Sequence, residues 1–194
     1  MKLTVEMDQA QLDDLKDRLA FINGGWERAV VRAMNTAASQ ARTKTAERAR
    51  ALLTADRQRI EDSLLVKKAT YGARAARLHI YDQPIPLFRF DVSFMYPTVE
   101  GGVTARTFQG EAPLTLKHAF VAKMATGHVG VFSRRGKERL PIQEHFGPTV
   151  ATVFEKTPGL EAEIMQLAAE KFAQEAARQA AYLIQKELGQ GDEG

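Results

Sequence analysis

Apolar residues along the chain switch between two spacings, and the switches mark the elements. Leu3 and Val5 alternate within residues 2–6, which predicts a short strand. Asp8 follows as a candidate helix cap with Gln11 at the capping-box position. Leu12, Leu15, Leu19 and Ile22 then recur at helical spacing, and Asn23-Gly24-Gly25 ends that helix. A longer helix is predicted from Trp26 to about Leu53. Its apolar or small positions are Trp26, Ala29, Val30, Ala33, Met34, Ala37, Ala41, Ala49 and Leu52 or Leu53. A stripe this rich in alanine lets another element approach closely. Asp56 is placed to cap a short helix that Ile60, Leu64 and Leu65 would dock.

Period two then takes over. Residues 66–70 and 76–82 read as antiparallel strands around a loop at Tyr71-Gly72-Ala73. Pro84 and Pro86 keep 83–88 out of any central strand. Residues 89–94 alternate again, with Phe88, Phe90, Val92 and Phe94 on one face, and 95–100 read as irregular and exposed. Gly101-Gly102 leads to a strand carrying Val103, Ala105 and Thr107. Residues 118–122 read as a strand that buries Phe120, and Gly127-His128-Val129-Gly130 turns into a last strand, giving an antiparallel meander.

The stretch 131–148 stands out. An apolar arm leads into Arg134, Arg135, Gly136, Lys137, Glu138 and Arg139, then Leu140-Pro141-Ile142 and His145-Phe146-Gly147-Pro148. A basic tip between two apolar arms predicts a projecting β-hairpin. Thr157-Pro158-Gly159 opens a C-terminal helix over 160–188. Leu160, Ile164, Leu167, Ala168, Phe172, Ala176, Ala180, Leu183 and Ile184 form its stripe. At 1.5 Å per residue it spans about 40 Å, enough to run along the N-terminal helix or to reach a neighbouring subunit.

The expected class is therefore α+β, with long N-terminal and C-terminal helices packed on an antiparallel β-sheet that extends a basic hairpin. The 194 residues are expected to form a single domain. It would comprise a strand and helix (1–25), the long basic helix and a short one (26–65), the sheet with its loops (66–155), the C-terminal helix (156–188) and a disordered tail (189–194).

Composition narrows the chemistry. No cysteine is present, so disulfides and thiolate metal sites are excluded. The net charge of +3 and a pI near 9.2 permit contact with nucleic acid without requiring it. The first residues carry no apolar core of a signal peptide, and no run approaches the ~20 apolar residues of a membrane span. The long helix displays Arg28, Arg32, Arg42, Lys44, Arg48 and Arg50, with Glu27 and Glu47 as the only acids between Trp26 and Leu53. That face reads either as ordinary solvated surface or as a surface for nucleic acid or an acidic partner. Trp26, the only tryptophan, reads as a core anchor where two helices meet.

No enzymatic constellation emerges. His79, His118, His128 and His145 fall in no metal-ligand spacing; the first two read as strand residues and the last two as loop residues. There is no GxSxG, P-loop or GxGxxG. Asp13-Asp14 and Glu61-Asp62 diverge as neighbours on helices, and nothing in the spacing brings Asp91 to Glu111. A small hydrolase would need such groups to converge in a pocket. No metal or cofactor is expected.

The run Gly130-Val131-Phe132, Arg134, Gly136-Lys137, Arg139-Leu140-Pro141-Ile142 and Gly147-Pro148-Thr149-Val150 resembles the signature of the phage minor tail protein Z family. Ile85-Pro86-Leu87 with Phe90, Gly102-Val103-Thr104 and Ala119-Phe120-Val121-Ala122 fit the same pattern. The resemblance runs from about Trp26 to Glu155. Ala55 stands where family members often have glycine, and the Arg134-Arg135-Gly136 turn is more basic than is usual. The resemblance implies a tail-completion protein of a tailed bacteriophage or prophage, acting in head–tail joining. Its implied partners are the tail terminator and the head connector. A homo-oligomeric ring in the particle is implied, with a monomer in isolation left open. The implied place is the virion tail, and the host bacterial cytoplasm during assembly. A ring around a DNA channel would favour a basic inward surface. On this reading Arg134, Arg135, Lys137 and Arg139 face a partner or DNA, and Leu140, Pro141, Ile142, Gly147 and Pro148 aim the chain. A basic nucleic-acid-binding module built on Arg28, Arg32, Arg42, Lys44 and Arg48 is the alternative.

Overall fold

The computed structural model, which describes residues 1–5, 9–94 and 102–190, is an α+β fold in which three helices precede a run of strands and two follow it. The chain divides into two units. One comprises Met1–Thr45, Leu64–Ile80 and Thr157–Gly194, the other Ala46–Ser63 and Tyr81–Lys156. Asp8, the loop at 95–100, Gly101 and the tail residues 191–194 lie outside the described residues.

The first unit is a three-stranded antiparallel sheet with long helices. Strands β1 (Lys2–Val5), β2 (Leu64–Lys67) and β3 (Ala76–Ile80) lie in the order β1-β3-β2. Alternation sets the faces. Leu3, Leu64, Ala76, Leu78 and Ile80 are buried, whereas Lys2, Leu65, Lys67 and Arg77 are exposed. The β2–β3 pair is antiparallel, but β2 sits at 64–67 and not at 66–70. The reason is a side chain. Asn35 accepts from the Ala69 N–H at 2.7 Å and donates to the Ala69 carbonyl at 3.2 Å, so that backbone is satisfied outside any ladder.

Helix α1 (Gln9–Arg18) stops before Leu19 and Ile22, which are buried in the turns that follow. Helix α2 (Gly25–Leu52) begins at a glycine because a Cβ there would sit 2.8 Å from the Ile22 Cβ. The predicted stripe holds: Ala29, Val30, Ala33, Met34, Ala37 and Ala41 are buried. Trp26 is a correction. It is half-buried at the surface, with the Arg74 guanidinium 4.6 Å and the Lys16 Nζ 5.5 Å from its ring, so cations cover it and the core does not.

Helix α5 (Leu160–Gln190) buries Leu160, Ile164, Ala168, Phe172, Ala176, Ala180 and Leu183. Arg32 on α2 donates to Gln179 at 3.2 Å and Lys44 pairs with Glu163 at 3.9 Å, so α2 and α5 run antiparallel. The helix continues through Gly189 to Gln190, beyond the expected end at Leu188. Glycine lowers helix propensity by about 1 kcal/mol but does not by itself terminate a helix.

The second unit holds the last turns of α2, helix α3 (Arg57–Asp62) and small sheets in place of one continuous meander. Strands β5 (Asp91–Phe94), β6 (Val103–Arg106) and β7 (Leu114–Leu116) form one sheet. Strands β8 (Ala119–Lys123), β9 (Val129–Arg134) and β10 (Ile142–Glu144) form another. Among the described residues, strand β4 (Ile85–Pro86) pairs with β11 (Phe146–Gly147) alone, as the prolines dictate.

Several expectations change here. The alternating run begins at Asp91 because Leu87–Arg89 forms a 3-10 turn, closed by Phe90 N–H to Leu87 carbonyl at 3.1 Å. Asp56 precedes α3 without capping it through its side chain, which pairs with Arg89 at 3.4 Å. His118 is not in a strand; its φ of 68° puts it in the turn before β8. Phe120 is half-buried and Ala119 takes the buried position beside it. Helix α4 (Val150–Lys156) forms at the end of the stretch 66–155, where sheet and loops were expected. Gly102, at φ +69°, lies so close to the Leu116 carbonyl that any Cβ would collide with it.

Candidate assembly surface

The basic hairpin exists, and its geometry is built from β9 outward. Strand β9 is central, pairing with β8 on one side and β10 on the other. Val131 and Phe132 anchor it in the core. Gly130 is required by crowding: a Cβ would stand 2.7 Å from the Glu144 Oε1 and 2.9 Å from the Phe132 ring. Pairing resumes in β10 with Ile142 opposite Arg134, Gln143 opposite Ser133 and Glu144 opposite Phe132. The Leu140–Pro141 peptide is cis, and the Arg135 N–H donates to the Pro141 carbonyl at 3.3 Å, closing the neck of the loop.

Past the neck the chain is open. Residues 134–141 are all exposed, Leu140 to 67%. The four cations divide. Arg134 lays its guanidinium 4.8 Å from the centre of the Phe120 ring. Phe120 lies opposite Phe132, so Arg134 is its diagonal neighbour two residues along. Arg135, Lys137 and Arg139 make no ion pair with any described residue and stand beside the single acid Glu138.

The exit from the hairpin is fixed more tightly than the tip. A Cβ on Gly147 would lie 2.5 Å from the Phe90 ring, so β11 can cross that ring only as glycine. Ile142 and Pro148 are half-buried while Leu140 and Pro141 are exposed. Thr149 then caps α4. The Thr152 N–H donates to the Thr149 Oγ1 at 3.2 Å and the Thr149 N–H to the Thr152 Oγ1 at 3.3 Å, a reciprocal capping box. The Thr149 hydroxyl donates to Asp82 Oδ1 at 2.6 Å. Apolar periodicity does not reveal this network. Its signal in the sequence is Thr149 and Thr152, three residues apart at the head of an apolar run.

The helix cations do not form one stripe. At 3.6 residues per turn, Arg28, Arg32 and Arg42 fall on one side of α2, with Lys44 and Arg48 opposite. Most are engaged locally. Arg28 donates to the Gly24 and Asn23 carbonyls at 3.2 and 3.1 Å. Arg42 donates to the Leu64 carbonyl at 3.1 Å, and Arg32 and Lys44 reach α5 as described. Arg48 is exposed and also has a partner.

The acids and histidines are likewise spread. Asp91 pairs with Arg106 at 2.5 Å and Glu111 with Lys156 at 2.8 Å, so each carboxylate answers a different cation. Asp13, Asp14 and Glu61 pair along their own helices with Lys16, Arg18 and Arg57. His128 meets Glu144 at 2.7 Å. His145 meets the Ser133 hydroxyl at 2.9 Å, the spacing of a nucleophile and its base, but no described carboxylate orients that imidazole from behind. No group of three or more His, Asp or Glu among the described residues could hold a metal ion. Among the described residues no helix is long and apolar enough to cross a membrane.

The residues that shape the hairpin and its exit are those of the signature noted in the sequence, and a comparison with protein families decides its meaning. The model of the prophage minor tail protein Z (GPZ) family matches residues 12–189. The chain belongs to that family. The match extends beyond residues 26–155 in both directions, so α1 and α5 are part of the family's fold along with the hairpin. Membership makes this chain a structural protein of the phage tail, with other tail proteins as its partners. No match was found among curated proteins or among solved structures.

Proposed function

We propose that this protein completes the tail at its head-proximal end and makes it competent to join a head. It acts there without catalysis, by self-association and by docking on the tail terminator or head connector, in the host cytoplasm while particles assemble. The observation that carries this reading is the hairpin tip. Arg135, Lys137, Arg139 and Leu140 are exposed, and the three cations are unpaired among the described residues. They stand on a strand pair whose root is buried and whose exit is fixed by Gly147 and Thr149. A rigid mount with an uncommitted tip suits recognition, because little ordering is required on binding.

A nucleic-acid reading through α2 has less support, since Arg28, Arg32, Arg42 and Lys44 already serve as local ties.

The test is charge reversal at the tip. The triple variant R135E/K137E/R139E should melt like the parent protein. Supplied to a lysate lacking the protein, it should leave full heads and unjoined tails and lower the infectious yield at least about 100-fold, nearly 3 kcal/mol of lost association. A normal yield from the folded variant would falsify the docking role of the tip.

A further inference from the structure

The hairpin is not the only basic surface. The solvent face of the β1–β3–β2 sheet carries Lys2, Thr4, Leu65, Lys67, Arg77 and His79, set out in two cross-strand rows. Lys2, His79 and Leu65 form one row, and Thr4, Arg77 and Lys67 the other. Arg77 and Lys67 are direct partners on the same face, and like charges directly opposite in a ladder are unfavourable. No carboxylate is present among the described residues of this face, and Lys2, Lys67 and Arg77 make no ion pair among the described residues. The field is felt nearby. Burial holds the His79 imidazole below its ordinary value, and Lys67, Lys2, Arg77 and the N-terminal amine push it further the same way. Its Nε2 is buried with no hydrogen-bond partner among the described residues.

We propose that this sheet face binds the phosphate backbone of DNA, without reading sequence. Charge complementarity selects a polyanion, because bound anions relieve the like-charge row. The shape of the face selects DNA over an acidic protein. Protein interfaces are built around apolar and aromatic anchors in pockets, and here Leu65 is the one exposed large apolar side chain on the described face. Phosphate contacts need only cations and hydroxyls on an open surface, which Lys2, Thr4, Lys67 and Arg77 supply. This surface lies on other elements than the hairpin tip and does not depend on the tail-joining proposal.

The experiment measures binding of the full chain to an arbitrary duplex by fluorescence anisotropy across salt concentrations. Three neutralised phosphates give a log–log salt slope of about −2.7, hence about a 40-fold loss of this contribution between about 50 and 200 mM salt. The variant K2Q/K67Q/R77Q should bind more weakly and lose about 2.7 of the slope. Its melting temperature should equal or exceed that of the parent, since repulsion has been removed. Should the triple variant fail to fold, K67Q alone should lose about 0.9 of the slope. The hairpin variant R135Q/K137Q/R139Q should retain the sheet contribution. Unchanged affinity and slope in the folded sheet variant would overturn the proposal. So would loss of the whole slope in the hairpin variant. Tighter binding of polyglutamate than of duplex at equal charge would assign the face to an acidic protein and overturn it too.

Discussion

His79 has a consequence for stability that its place in the central strand makes testable. Its neighbours across the strands are Lys2 and Leu65, and no acid faces it among the described residues. Burial first, then the surrounding cations, lower its pKa from the ordinary 6.5. The folded chain therefore binds fewer protons than the unfolded chain in the window below pH 6.5. Stability rises with pH across that window, is fully present above 6.5, and is lost as the pH falls towards the lowered value. We expect the urea midpoint of the parent protein to drop between pH 7.5 and about 5.5 by more than that of H79Q. The variant K67Q should fall between the two, because it removes one cation and keeps the imidazole. Parallel midpoints for the parent and H79Q would show that this histidine does not couple folding to protons. The same residue-scale logic explains Gly130 and Gly147. Gly147 is a glycine because the Phe90 ring occupies the place of its Cβ, and Gly130 because the Glu144 carboxylate and the Phe132 ring crowd that place together.

At the scale of elements, helix α4 depends on one threonine. Val150-Ala151-Thr152-Val153 is rich in β-branched residues and in isolation would favour a strand. Thr149 reverses that preference by capping the first turn, and Asp82 holds its hydroxyl from across the unit. Thr149→Ala should cost about 1–2 kcal/mol, lowering the melting temperature by roughly 2–8 °C, whereas Thr149→Ser should keep most of the stability. Equal loss in both variants would mean that the methyl group matters and the cap does not. This helix also marks what was legible in the sequence. The long helices could be read because many apolar positions repeat over 28 and 31 residues. The hairpin could be read from its charge pattern and turn residues. Short elements are not legible where one side chain decides the outcome. Asn35 ends β2 from a distant helix, and Thr149 turns a strand-like run into α4. In sequence Arg134 belongs with the free tip because Phe120, the ring it covers, lies 14 positions away and comes next to it across the ladder. The basic sheet face is not legible in the sequence for the same reason: Lys2, Lys67 and Arg77 become neighbours through strand register.

At the scale of the whole molecule, neither unit is a continuous stretch of chain. The unit that bears the hairpin takes Ala46–Ser63 from one part of the sequence and Tyr81–Lys156 from another. The shorter segment is built into the sheets of that unit. The Thr54 N–H donates to the Thr107 carbonyl at 3.1 Å, the Gln109 N–H to the Leu52 carbonyl at 2.7 Å, and Leu53 bridges Phe108. The Asp56 N–H donates to the Arg89 carbonyl at 2.8 Å, and the Thr54 hydroxyl to the Arg106 carbonyl. Leu53 and Ile60 are at most 1% exposed, so the segment also fills part of the core. A fragment of residues 81–156, although it holds the whole hairpin, loses both side chains and leaves those backbone groups without partners. Burying two large aliphatic side chains stabilises a fold by about 3–6 kcal/mol, a large share of the 5–15 kcal/mol of a typical domain. We therefore expect this fragment to show no cooperative thermal transition, and a peptide of residues 46–63 added in excess to restore one. A cooperative transition in the fragment alone would mean that the hairpin folds independently of the segment that precedes the first sheet. In that case the tip could be transplanted to another scaffold with its geometry intact.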